Sequence, residues 1–268
     1  MSILDRIVED TRALVAQRKL SCPIEELQAR AGYAAERRSL SGALGGEHLG
    51  IIAEIKRASP SKGLIREDFE PVAIAQSYTQ HGAQAISVLT EPLHFQGDLA
   101  FLEAVRPHTT LPLLRKDFII DPYQLHEARA YGADAVLLIA TCLEANLLFD
   151  LHAEANALGL ECLVEVYATE ELERLDASQI KILGVNNRNL HTFEVDLNHS
   201  IETFRAFPSE VIKVSESGIA DGEDLAFLHN HGADAVLIGE TFMRAENPGQ
   251  SLETMRADMQ AALAAKSI

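Results

Sequence analysis

The chain has little cysteine, little positive charge and no long apolar run, and each shortage closes off a class of protein. Its 268 residues include three cysteines, Cys22, Cys142 and Cys162. An odd number without a C-x-x-C pair suggests neither a disulfide framework nor a zinc site, and reduced buried thiols fit better. Lysine and arginine together number 23 against 40 aspartates and glutamates, a formal net charge of −17. That balance disfavours nucleic acid or an anionic membrane as a partner. No apolar stretch approaches the roughly 18 residues of a membrane helix. The opening Met1-Ser2-Ile3-Leu4-Asp5-Arg6 has no apolar signal core, so the expected location is the cytoplasm. No G-x-G-x-x-G follows a strand and there is no H-E-x-x-H, so neither a dinucleotide site nor a metal is asked for. The ten histidines are scattered, and His126, His152 and His229 read as packing or surface residues of helices.

What is present is the composition of an ordinary globular protein, 47% hydrophobic and 24% charged. The length suits one α/β barrel of about 250 residues. Residues 3–20 and 23–34 have apolar positions at helical spacing, giving an N-terminal helical extension over 1–48. From residue 49 to 268 the pattern changes to short apolar runs separated by amphipathic stretches. Strands are predicted at 50–56, 85–90, 112–116, 135–140, 161–167, 181–186, 211–215 and 235–239. Helices fall between them, among others at 124–131, 143–158 and 222–231. Near-continuous Val, Ile and Leu are typical of parallel strands buried on both faces.

A weak repeat agrees. His81-Gly82-Ala83, Tyr131-Gly132-Ala133 and His231-Gly232-Ala233 each lead from a helix end into a strand, with glycines 50 and 100 residues apart. A βα unit of about 25–30 residues gives such intervals, with glycine just past the helix. The fold expected is a (β/α)8 TIM barrel with an N-terminal helical extension. A doubly wound open sheet is the rival.

In a barrel, polar residues at the carboxyl ends of strands converge on one pocket. Here they are Glu54 and Lys56 from the first strand, Lys116 from the third and Glu165 from the fifth. Asn186 and Arg188 follow from the sixth, and Glu216 and Ser217 from the seventh. Residues two apart in a strand share a face, as Glu54 and Lys56 do. Lysines beside glutamates can give and take protons once neighbouring charge and burial adjust their pKa values, and a lysine can equally form a Schiff base. The loops Ser217-Gly218-Ile219 and Ile238-Gly239-Glu240-Thr241 are each expected to open a helix, with backbone amides free for a phosphate.

The stretches IIAEIKRASPSKG (51–63), LTEPLHFQGDLAFLEAVR (89–106), LLRKDFIIDPYQLHEARAYGADAVLLIA (113–140), LVEV (163–166), GVNNRNL (184–190) and VSESGI (214–219) resemble the indole-3-glycerol-phosphate synthases of tryptophan biosynthesis. With no metal-binding motif, the chemistry expected from the residues is acid–base without a cofactor, and the resemblance implies a (β/α)8 barrel enzyme with an N-terminal helical extension. Its substrate would be a small molecule, 1-(2-carboxyphenylamino)-1-deoxyribulose 5-phosphate, converted to indole-3-glycerol phosphate with loss of carbon dioxide and water. It implies Lys116 as general acid, Glu165 as general base, Lys56 assisting the acid and contacting substrate anions, and Glu54 orienting the lysines. Asn186 and Arg188 would hold the anthranilate end with Ser59 alongside, Glu216 would contact the substrate, and Ser217, Gly218 and Gly239 would take the phosphate. Some relatives have serine where this chain has Glu240, so Glu240 is held out of the site and Thr241 is the alternative donor. Arg115 and Asp117, on the other face, are read as structural. The alternative activities are another phosphosugar barrel, an isomerase or a Schiff-base aldolase, and a non-enzymatic phosphate-binding protein. A monomer is the default.

Overall fold

In the computed structural model, residues 2–46, 48–175, 179–189 and 194–265 are described. Eight parallel strands close into a barrel: β1 Gly50–Ile55, β2 Ala85–Leu89, β3 Leu113–Lys116, β4 Ala135–Ile139, β5 Glu161–Val166, β6 Ile182–Asn186, β7 Ile212–Glu216 and β8 Ala235–Ile238. Closure is made by β1 against β8, with Gly50 opposite Ala235 and Ala53 opposite Ile238. Each strand lies within a residue or two of its expected span, and the doubly wound rival is excluded by the closed sheet.

Strand alternation sorts the core into two shells. Ile52, Leu114, Leu163, Ile182, Val214 and Leu237 point inward and form one cluster inside the barrel. Their neighbours Ile51, Leu113, Val164, Leu183 and Val236 point outward, into the larger cluster beneath the helices. The same period carries Glu54, Lys116, Glu165, Asn186 and Glu216 inward. Arg115 and Lys116 therefore leave β3 on opposite sides.

Before the barrel come α1 (Ile3–Ser21), α2 (Ile24–Gln28) and α3 (Leu40–Leu44). A reciprocal cap starts α1: Asp5 N donates to Ser2 Oγ at 3.1 Å and Ser2 N to Asp5 Oδ2 at 2.7 Å. The second helix is shorter than the 23–34 predicted. Past Gln28 the chain turns, Tyr33 stacks on His126, and the Arg37 guanidinium donates to the carbonyls of Gly32 (2.6 Å) and Ala35 (2.9 Å). Side-chain contacts outside the helix thus replace a further helical turn. Leu40 and Leu44 of α3, which sequence reasoning did not find, are fully buried within the inner cluster and plug the amino-terminal end of the barrel.

The outer ring is made by α4 (Pro71–Gln80), α5 (Leu99–Val105), α6 (Pro122–Ala130), α7 (Ala145–Ala157), α8 (Thr169–Leu172), α9 (Asn198–Phe204), α10 (Gly222–Asn230), α11 (Glu240–Arg244) and α12 (Pro248–Ala265). The glycines of the three repeats have φ of 87°, 91° and 92°, the left-handed geometry inferred for them. No helix among the described residues is long and apolar enough to cross a membrane.

Candidate active site

At the carboxyl end of the barrel lies a cavity of about 670 Å³. Every residue expected in the site lines it: Glu54, Lys56, Ser59, Lys116, Glu165, Asn186, Arg188, Glu216, Ser217, Gly218 and Gly239. Leu190, which ends the GVNNRNL motif, lies outside the described residues.

The centre of the cavity is a lysine among carboxyl groups. Lys116 Nζ donates to Glu165 Oε2 at 3.1 Å and lies 3.6 Å from Glu216 Oε2. Glu165's other oxygen accepts from Asn186 Nδ2 at 3.4 Å, and Asn186 Oδ1 accepts from the Arg188 backbone at 3.0 Å. Glu165 is thus fixed at both oxygens, and the loop after β6 orients the amide that fixes it. Lys56, just beyond β1, reaches back so that Nζ is 2.6 Å from Glu54 Oε1. Small residues make room for these acids. A β-carbon at Gly184 would collide with Glu216 Oε1, and one at Gly239 with Glu54 Oε1.

Burial opposes the positive charge of Lys116, but Glu165, Glu216 and Glu54 outweigh it and hold the ammonium well above the ordinary lysine range. Glu216 is raised as well, which for a carboxyl group favours the neutral form. Burial first, then the charge of Glu165, push it up to about 8 against the pull of Lys116. Near neutral pH Glu216 therefore keeps a proton beside the charged Lys116. Glu216 Oε1 is buried without a hydrogen-bond partner.

One end of the cavity is apolar. Ile3, Leu4 and Ile7 of α1 line it together with Phe95, Phe118 and Leu89. Sequence reasoning did not single out Phe95 or Phe118. Helix α1 is held there by Lys19 to Asp121 (2.7 Å), Asp10 to His94 (2.8 Å) and Arg18 to Glu127 (3.5 Å). At the other end Ser217 and Gly218, with φ of 70° and 81°, turn the chain out of β7. The expectation that this loop opens a helix fails, since α10 starts four residues later, with Asp221 as its cap. Gly239 does stand immediately before a helix, the short α11.

Two expectations about neighbouring residues resolve differently. Arg115 is fully buried behind the barrel wall, bonded to Asp117 (2.9 Å), Glu127 (3.1 Å) and the Gln124 carbonyl (2.6 Å), as a structural residue should be. Glu240 was held out of the site, but its side chain lines the cavity. It lies 3.6 Å from Arg188 and 3.7 Å from Lys62, and it accepts from Arg244 Nε at 3.1 Å. A long side chain one residue past the barrel wall swings back over the mouth, which a one-dimensional comparison with serine could not show. Thr241 donates to the Ile219 carbonyl at 2.6 Å.

Fold and site together define a (β/α)8 barrel enzyme arranged for acid–base chemistry. The family model described as indole-3-glycerol phosphate synthase matches residues 4–255. The chain is 57% identical over 260 residues to the indole-3-glycerol phosphate synthase of Salinibacter ruber, covering 96% of each chain. It is 46% identical over 257 residues to that of Burkholderia ambifaria, covering 94% of this chain and 98% of the relative. This chain belongs to the indole-3-glycerol phosphate synthase family. Among solved structures, 3-hexulose-6-phosphate synthase from Salmonella typhimurium superposes with a TM-score of 0.61 at 12% identity over 80% of this chain and 100% of the other. KGPDC from Streptococcus mutans gives 0.61 at 12% over 81% and 99%. At that identity the likeness is one of fold alone.

Proposed function

We propose that this protein closes the indole ring of indole-3-glycerol phosphate, starting from 1-(2-carboxyphenylamino)-1-deoxyribulose 5-phosphate and releasing carbon dioxide and water. The observation that carries the reading is the Lys116 ammonium set 3.1 Å from the Glu165 carboxylate, in a cavity with an apolar end and a polar end. Bond formation between the aromatic carbon and the ketone puts negative charge on the ketone oxygen, and Lys116 supplies the proton there. Carbon dioxide then leaves the ring carbon. In the dehydration Glu165 takes a proton while a lysine protonates the departing hydroxyl, with Lys56 as the second acid and Glu54 holding it.

The anthranilate ring fits the apolar end, with its carboxylate toward Arg188, Asn186 and Ser59. The phosphate is taken by the Ser217, Gly218 and Gly239 loops, and Glu216 contacts the substrate between them. A Schiff-base aldolase needs a neutral lysine nucleophile, and the carboxylates around Lys116 favour its charged form instead. In this reading residues 1–48 are an extension of the one structural domain formed with 49–268. The reading extends to a monomer that works in the cytoplasm without a cofactor.

The test is to mix EDTA-treated protein with the carboxyphenylamino-deoxyribulose phosphate and follow indole fluorescence. A rise is expected. A folded protein that binds the compound without producing indole would move the assignment to another phosphosugar reaction.

A further inference from the structure

Glu240 is a carboxylate at the mouth of a cavity meant for an anion, where it should repel the substrate. Its surroundings explain how it is tolerated. Three cations from separate parts of the chain face it: Lys62 from the loop after β1, Arg188 from the loop after β6, and Arg244 one turn along α11. Their distances fall into two classes. The 3.1 Å bond from Arg244 Nε is a true hydrogen bond, whereas 3.6 Å to Arg188 and 3.7 Å to Lys62 are charge contacts beyond hydrogen-bond length. Arg244 thus anchors the carboxylate, while Arg188 and Lys62 meet it loosely.

We propose that Glu240 is an internal counter-anion, a positioning residue that holds Arg188 and Lys62 and yields them to an incoming anionic group of the substrate. This rests on the proposed function only for the identity of the incoming anion. Before an anion arrives, Glu240 keeps two long cationic side chains at the mouth and lowers their desolvation cost. When an anion arrives, the loose contacts exchange and Glu240 stays with Arg244. The exchange lowers affinity for substrate and product alike, which favours turnover over tight binding.

The experiment compares wild type with Glu240→Gln, which keeps shape and removes charge, by titrating each with inorganic phosphate in a calorimeter at low salt. The variant is expected to bind phosphate about three- to tenfold more tightly, the usual worth of a part-exposed charge contact. The gap should close near 1 M salt, where the Debye length is about 3 Å. With substrate, KM should fall in the variant without a rise in kcat, the mark of uniform binding. Unchanged or weaker phosphate binding, or a gain that salt does not remove, would overturn the proposal. Because phosphate binding needs no turnover, its failure is distinguishable from a failure of the ring-closing assignment, and melting curves establish that the variant is folded.

Discussion

Arg115 and Lys116 are adjacent cations in opposite settings, one buried in the wall and one lining the cavity, because a strand sends successive side chains to opposite faces. Lys116→Met is expected to lower kcat by about 10²- to 10⁴-fold, the usual worth of a positioned proton donor, in a protein whose circular dichroism is unchanged. Near-normal turnover would remove Lys116 from the chemistry. Arg115→Met strands Asp117 and Glu127 in the wall and should cost about 3–5 kcal/mol in urea unfolding, while kcat per folded molecule stays within about threefold. Glu216 supplies the pH dependence. Its carboxyl group keeps a proton to about 8 in the folded chain, whereas an unfolded glutamate loses it near 4.3. Between those values the folded state binds more protons, so this group's contribution to stability is present at low pH and is lost as pH rises toward 8. Glu216→Gln, which cannot ionise, should therefore be more stable than wild type at pH 8.5, by on the order of 2 kcal/mol, and should match it near pH 4.5. An equal difference at both pH values would mean that Glu216 is ionised throughout.

At the level of elements, α1 serves the cavity as well as the fold. Ile3 is partly exposed and lines the apolar end, so Ile3→Ala removes contact area there with little loss of core. KM is expected to rise about three- to tenfold, the worth of one or two methylene groups, with kcat nearly unchanged. An unchanged KM would leave α1 as scaffold. The same helix marks how far the sequence was legible. Strands and the residues ending them could be read because period-two burial and the carboxyl-end rule act locally, so Glu54, Lys116 and Glu165 converge once a barrel is assumed. Helix α3 was not legible, since five residues plugging a barrel give too short a periodicity. Nor was the use of Ile3, Leu4, Phe95 and Phe118, whose meeting depends on how the extension docks over distant loops through Lys19, Arg18 and Asp10. Glu240 was misjudged for a related reason: its partners Lys62 and Arg188 are remote in sequence, and only the closed barrel brings them to one carboxylate.

For the whole molecule the question is how an anionic substrate reaches a chain of net charge −17. The described residues of the cavity wall include the cations Lys56, Lys62, Lys116, Arg188 and Arg244 and the acids Glu54, Asp117, Glu165, Glu216 and Glu240, of which Asp117 turns to Arg115 behind the wall. Five cations against five acids make a nearly neutral site, and the proton kept by Glu216 leaves it only slightly positive. Such a site gives little long-range attraction, so at a distance the field of the remaining surface governs approach, and that field repels an anion. Screening should then help. Between about 10 mM and 150 mM monovalent salt the Debye length shrinks from about 30 Å to 8 Å, which suppresses the distant surface charges and spares the contacts inside the cavity. With a weakly binding salt anion, kcat/KM measured at low substrate is expected to rise about two- to fivefold over that range. A steady fall from the lowest salt would show instead that the local cations dominate and steer the substrate inward.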